Sequence, residues 1–408
     1  MVAFSRFGSS LRRMLPVTIV PSGTFAWWFL ITLYFEQIFS SWAADQLWIY
    51  FLAAIFYGSG AISAILGAMI GERIDRKRFL LFCFTFGVFA TALLAMQQSL
   101  VFALLSSALL GISLGLGFPS CMALLADCTS KEERTRFTGA VVFETFVMVF
   151  LAILVLSAFD LGVMGIIAVA IVLRSTSYYG FSGRFCDKAK EKGPSWLSIL
   201  VSRDLVFYLL PWLAFNLAGE LVGLVWAGLL GSSSIAEAYE IGNILRMAAI
   251  AFLGPIVGIA GYRFGRKPPI IVALVILGFS FAFLGLATSN YSVFVYLVFS
   301  GIAWSLLMVS YFALFGDLAF PKATEKFYAL GVATPLLAYM LVRGILPSLS
   351  ITSAEASVLS PIMAMLIFVS VIPALYASET LPADTIRERR LREHTEKIGK
   401  FVEESEEE

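Results

Sequence analysis

Twelve long apolar runs separated by short polar gaps leave this chain few ways to fold. Their cores lie near residues 16–39, 46–70, 79–97, 100–126, 137–158, 162–181, 204–230, 237–260, 268–288, 292–316, 327–348 and 357–377. About 20 apolar residues in a helix span a bilayer's hydrocarbon core, and there only helices and closed barrels satisfy their own backbone. A barrel would show alternating segments of about ten residues; these runs are continuous. The composition agrees, with 59% of residues hydrophobic and 14% charged, where a soluble domain is roughly half apolar and a quarter charged. The first run is too long for a signal-peptide core and a second follows at once, so it is read as a retained helix. An all-α membrane protein of twelve transmembrane helices is expected.

The basic residues orient it. Of 29 Lys and Arg, only Arg174, Arg246 and Arg343 lie inside the runs. The rest occupy the N-terminus, the gaps after runs 2, 4, 6, 8 and 10, and the tail, while the intervening gaps carry acids such as Asp45, Asp160, Glu237 and Glu355. The positive-inside rule then places both termini in the cytoplasm, with the plasma membrane as the expected location. A net charge of +1 points to no nucleic-acid partner. The four cysteines lack metal-ligand spacing and are read as buried or reduced thiols, and the lone His394 sits in the charged tail, so neither metal nor cofactor is expected. No GxxxxGK[ST] loop occurs, so ATP drive is not encoded here. A membrane enzyme would need a nucleophile and base, and no such cluster is visible.

The two halves echo each other. Gly111-Ile112 precedes Asp127 by sixteen residues, and Gly301-Ile302 precedes Asp317 by sixteen. Phe137 and Phe327 each follow those aspartates by ten residues, and Gly67 and Gly71 are matched with Gly254 and Gly258. A duplicated six-helix unit is a mark of transporters, with the solute site at the repeat interface near mid-membrane. The expected divisions are an N-terminus over 1–15, a first six-helix bundle over 16–181, a central loop over 182–203, a second bundle over 204–378 and a charged tail over 379–408. Pairs such as Glu388 with Arg392 support an exposed helix in that tail.

Two charged loops carry a family resemblance. Residues 71–78 read GERIDRKR, and GYRFGRK follows at 261–267, with Gly258 ahead of it. The chain resembles the major facilitator superfamily, whose loop between helices 2 and 3 runs glycine, three residues, Asp, Arg, one residue, Gly, Arg and Arg or Lys. The first copy keeps Gly71, Asp75 and Arg76 but lacks the second glycine; the second keeps Gly258, Arg263, Gly265 and Arg266, with Tyr262 where Asp is expected. Asp127 with Arg134 after helix 4 also looks like the family, as does Asp317, where Thr324 takes the equivalent arginine position. The resemblance implies two pseudo-symmetric bundles and a cytoplasmic latch made by these residues. Arg76 would bond Asp127, Asp75 would meet the N-terminus of helix 11, and the stronger latch is expected in the first half. Topology alone is the other reading of these arginines.

Charges inside the membrane are costly, about 2.5–3.5 kcal/mol each on insertion scales, and therefore point to function. Glu220 and Arg246 lie thirteen residues either side of Ser233, so they share a depth and are expected to pair, with Asn216 and Asn243 one turn away. A carrier site and a permanent structural pair are both open for them. Glu144 and Arg174 are expected to pair around the turn at Asp160, and Glu36 and Arg343 lie near the outer helix ends. The resemblance places helices 1, 4, 7 and 10 around the cavity, where Trp28 and Trp304 are candidates for contact with a ring-bearing solute. The family's Gly-Pro antiporter run is absent from helix 5. The expected function is secondary transport of a small organic solute by a monomer in the bilayer, with proton coupling open through Glu220, Glu144 or Glu36. The alternative is a transport-inactive binding or scaffold protein of the same fold.

Overall fold

The computed structural model describes residues 2–40, 42, 45–96, 99–182, 193–229, 233–285, 290–320, 323–345 and 353–381. Most of the expected central loop and the tail beyond 381 lie outside them. Within them, twelve helices are long and apolar enough to cross a membrane. Their α-helical parts are α1 (Val2–Leu33), α2 (Gln46–Gly71), α3 (Arg76–Ala92, extended by a 3₁₀ turn to Met96), α4 (Leu100–Asp127), α5 (Arg134–Phe159) and α6 (Gly162–Thr176, extended by a 3₁₀ turn to Ser182). The second half repeats the plan with α7 (Arg203–Leu229), α8 (Ser233–Phe264), α9 (Lys267–Gly285), α10 (Asn290–Leu318), α11 (Thr324–Ile345) and α12 (Ser353–Tyr376). Helix α1 begins at Val2, well before the expected start near Pro16.

Local chemistry sets several starts. Asp45 caps α2 by accepting from Leu47 N at 3.0 Å, and Asp75 caps α3 by accepting from Arg78 N at 3.0 Å. Each satisfies an N–H that the first turn leaves without a partner. Large apolar side chains such as Phe252, Met365 and Phe279 are exposed, as a surface bathed in lipid tails permits. Of the cysteines, Cys83 and Cys121 are free and buried, whereas Cys128 is disulfide-bonded. That corrects the expectation of reduced thiols throughout: Cys128 lies one residue past the end of α4, outside the apolar run.

The duplication is visible contact by contact. Within each bundle, α2 crosses α4 and α8 crosses α10. A Cβ on Gly111 would stand 2.1 Å from Phe56 O, and one on Gly301 would stand 2.9 Å from Arg246 O. Arg76 bonds Asp127 and Arg266 bonds Asp317, both at 2.8 Å. In every case the two copies differ by 190 in residue number (56 and 246, 76 and 266, 111 and 301, 127 and 317). Arg76 is therefore the structural counterpart of Arg266, and Gly265 the counterpart of Asp75. The alignment of Asp75 with Tyr262, and of Gly71 with Gly258, gives way to this register.

Between the bundles, α8 runs along α5 and α11 along α2. The first seam is close because glycines face each other: a Cβ on Gly139 would lie 2.5 Å from Gly254 O. Small residues let membrane helices approach in this way.

Arg174 is buried completely inside the first bundle. Its Nη2 donates to Cys83 O at 3.2 Å and Ser113 Oγ at 3.3 Å, and its guanidinium lies 4.8 Å from the Trp27 ring centroid. Nε and Nη1 have no hydrogen-bond partner. The expected pair with Glu144 is not formed. Glu144 instead accepts from Thr18 Oγ1 at 2.9 Å and Ser22 Oγ at 2.8 Å on α1. Helix α5 packs on α1 and α8 while α6 packs on α1 and α3, so equal depth did not bring the two side chains together. A buried charge lacking a counter-charge is costly. Arg174→Met is expected to raise stability by about 1 kcal/mol or more, the relief from desolvation exceeding a lost cation–π contact of up to about 2 kcal/mol. Thermal unfolding of the purified variant checks this; a lowered melting temperature would show that the guanidinium's contacts dominate.

Candidate functional site

A cavity of about 240 Å³ lies between the bundles, lined by residues of α1, α2, α7, α8, α10 and α11. Its rim includes Leu33 at the end of α1 and Arg343 near the end of α11. The basic loops flank the opposite ends of these helices, so the cavity occupies the half of the molecule away from the basic face. Among the described residues, one acidic and two basic side chains line it: Glu220, Arg246 and Arg343.

Glu220 and Arg246 share the cavity but do not pair. Arg343 Nε bonds Glu220 Oε2 at 2.9 Å. Helix α7 packs on α11 and α12 rather than α8, so the depth-matched neighbour in sequence is not the neighbour in space. Arg246 has no ion pair or hydrogen bond among the described residues. Asn243, one turn away on α8, also lines the cavity. Asn216 is buried and engaged at both ends of its amide: Nδ2 donates to Trp212 O and Oδ1 accepts from Tyr339 Oη, each at 2.7 Å. Trp304 lines the polar chamber, and Trp28 lines both it and a smaller apolar one beneath. Glu36 is exposed on the short helix Phe35–Phe39, beside Gln46 and off the cavity.

The apolar chamber has an aromatic floor. Phe25 of α1, Phe118 of α4 and Phe312 of α10 have ring centroids 5.5–5.8 Å apart. All three are buried, and they join the two bundles beneath the chamber.

Below this floor, toward the basic face, two charged clusters cross between the bundles. In the first, Arg76 bonds Asp127 at 2.8 Å and Glu325 of α11 at 3.2 Å, Thr324 Oγ1 donates to Asp127 at 2.9 Å, and Lys326 pairs with Glu72 at 2.8 Å. A Cβ on Gly71 would stand 2.6 Å from Glu325 Oε2. In the second, Arg134 bonds Asp317 Oδ1 at 2.5 Å and Arg266 bonds Asp317 Oδ2 at 2.8 Å. Arg266 also donates to the backbone oxygens of Gly261, at 2.8 Å, and Lys131. The Asp317 and Arg266 side chains are fully buried. Gly258 lies against the Thr135 backbone of α5, and Gly265 holds φ at +91°, a conformation glycine adopts freely. Arg263 sits in the last turn of α8.

Two expectations about these clusters are corrected. Asp75 caps its own helix, and the first-bundle acids that meet the α11 start are Asp127, through Thr324, and Glu72, through Lys326. The clusters are also two-sided rather than concentrated in the first half, since the second is the more deeply buried. Tyr262, which the 190-residue register removes from the family's Asp position, lies under Arg136 with the guanidinium 3.4 Å from its ring centroid. Sequence reading missed Glu325, Glu72, Tyr339 and Glu379, whose carboxylate accepts from Arg266 N and Lys267 N to cap α9. The charged opening of α11, Thr324-Glu325-Lys326, was the available signal for the first of these.

Comparison with known proteins matches this geometry. Residues 18–173 match the sequence model of the Major Facilitator Superfamily. No curated protein matches the chain. Solved structures with this fold include a bacterial homologue of the iron transporter ferroportin in an outward-facing state, with a TM-score of 0.71 and 15% identity over 89% of this chain and 97% of that one. The proton:xylose symporter XylE gives a TM-score of 0.67 and 15% identity over 90% and 97%. The human organic anion transporter MFSD10 gives 0.67 and 14% over 89% and 99%. At such identity the likeness speaks to fold, and the match to the first bundle speaks to family. With the duplicated bundles and the paired charged loops, these findings show that the chain has the fold of the Major Facilitator Superfamily transporters and that its first bundle is similar to the family in sequence.

Proposed function

We propose that this chain is a secondary carrier that moves a small organic solute across a membrane by alternating access. The carrying observation is the position of the cavity. It lies between the two repeats, away from the basic face, and beneath its aromatic floor the bundles are joined at the basic face by ion pairs. Ion pairs reaching across a seam can break and reform as bundles rock, whereas a close-packed apolar seam resists such division. On this reading the basic face is cytoplasmic, the clusters around Asp127 and Asp317 form the latch, and the structure corresponds to the outward-facing arrangement. Glu220 is the one carboxylate lining the cavity among the described residues, and it carries the proton if transport is proton-coupled.

The test is flux. Purified protein in liposomes is given radiolabelled organic acids, sugars and amines, with and without a pH gradient. Solute accumulation that responds to the gradient in the wild type and loses that response in Glu220→Gln supports the coupled carrier. Flux that ignores the gradient removes proton coupling and leaves the carrier. A chain that binds solute but never moves it is the scaffold alternative.

A further inference from the structure

We infer that the solute is a small amphipathic organic anion, its negative group held by Arg246 and Asn243 and its apolar body seated in the aromatic chamber below. The inference rests on the carrier reading of the same cavity. Three observations lead to it.

The first is charge. Glu220 is engaged by Arg343 at 2.9 Å, which leaves Arg246 as a basic side chain in the cavity wall with no ion pair among the described residues. A guanidinium in a partly dry pocket binds a carboxylate or similar anion through strong, paired hydrogen bonds. A cationic solute would meet that surplus charge and find the one acid lining the cavity among the described residues already taken.

The second is placement. Asn243 and Arg246 are three residues apart on α8 and so share a face; both line the cavity, and neither makes a hydrogen bond within the described structure. They offer adjacent N–H donors. The backbone that carries them is held by the close crossing at Gly301, where a Cβ would stand 2.9 Å from Arg246 O.

The third is the floor. The polar chamber shares Trp28, Asn216 and Tyr339 with the neighbouring pocket lined by Phe25, Phe118 and Phe312. The one amide there, Asn216, has both ends engaged. Trp28 Nε1 is the one buried side-chain donor without a partner among the residues lining that pocket, so a polyhydroxylated solute would leave most of its hydroxyls without partners on this side, at a cost for each. A ring or short alkyl body would not. The combined space is suited to a body of about one ring.

The experiment uses the full-length protein in detergent and in liposomes, with benzoate and phenylacetate as probes and benzyl alcohol and benzylamine as neutral and cationic counterparts. The acids are expected to raise the melting temperature and the amine to leave it unchanged. Arg246→Ala should weaken benzoate binding about tenfold or more, the loss expected for a charge-assisted pair, while its unliganded melting temperature stays near the wild type. Arg246→Lys should keep part of the affinity, and Arg246→Glu should transfer preference to benzylamine, a reversal that a purely structural arginine cannot produce. If Arg246→Ala does not fold, Arg246→Lys and Asn243→Ala carry the same comparison, each expected to bind benzoate more weakly. Equal binding of benzyl alcohol or benzylamine by the wild type would overturn the inference, as would wild-type affinity for benzoate in the Arg246 variants. Benzoate binding without flux would instead remove the carrier reading and keep the anion site. Flux of a neutral or cationic solute that is indifferent to Arg246 would do the opposite.

Discussion

Asp317→Asn should destabilise the protein by about 3–5 kcal/mol, the usual cost of removing one partner from a buried ion cluster. Asp317 accepts from two arginines, Arg134 on the other bundle and Arg266 on its own. All three are buried, so neither guanidinium can turn to water when the carboxylate is neutralised. Asn keeps the shape but leaves two cations facing each other without an anion between them. Because Arg134 reaches across the seam, the loss falls on the arrangement in which the basic face is closed. Two readouts separate folding from latching. Thermal unfolding reports the total loss. Reaction of an introduced Thr135→Cys with a membrane-impermeant maleimide reports opening, since Thr135 is fully buried beside Gly261 at the seam. Faster labelling with a lowered melting temperature is the expected outcome. Unchanged labelling together with an unchanged melting temperature would show that Asp317 does not hold the seam.

The second large effect is expected at Gly139→Ala, a change that should help an isolated helix. Alanine is favoured over glycine in a helix interior by about 1 kcal/mol. Here the added Cβ would stand 2.5 Å from Gly254 O and 3.2 Å from Gly258 Cα. Both are backbone atoms, which cannot rotate aside, so α5 and α8 must separate. Overpacking costs about 1–3 kcal/mol, enough to outweigh the helical gain. The variant should fall in melting temperature and expose Thr135→Cys to the same reagent. Gly223→Ala on α7 is the control. Nothing lies within 4 Å of its added Cβ, so only the helical gain should be felt. Equal behaviour of the two variants would mean that the α5–α8 seam tolerates widening.

Much of the architecture was legible in one dimension. Crossing a bilayer demands apolar length, and charge placement follows from the cost of moving Lys and Arg through hydrocarbon, so twelve runs and alternate basic gaps can be read without coordinates. The repeat was legible too, because a duplicated crossing needs the same small residue at the same spacing, as at Gly111 and Gly301. The bond between Arg76 and Asp127 could be anticipated from the family pattern. Matching depths also brought Glu220, Arg246, Asn243 and Trp304 to one cavity.

The pairings were another matter. Glu220 chose Arg343 over Arg246, Glu144 chose the hydroxyls of Thr18 and Ser22 over Arg174, and Arg76 found Glu325. The two expected pairs that did not form joined helices consecutive in the chain; the contacts made instead join helices far apart in it. The sequence by itself determined that this chain has twelve helices apolar enough to span a membrane, that its halves repeat, and that its basic loops share one side, because each depends on local composition against the solvent. Which charges meet, and therefore which cation is left facing the cavity, was decided only by the tertiary structure. Helix neighbours are chosen by the summed packing of all twelve helices, and depth along one helix does not report which face lies across from it.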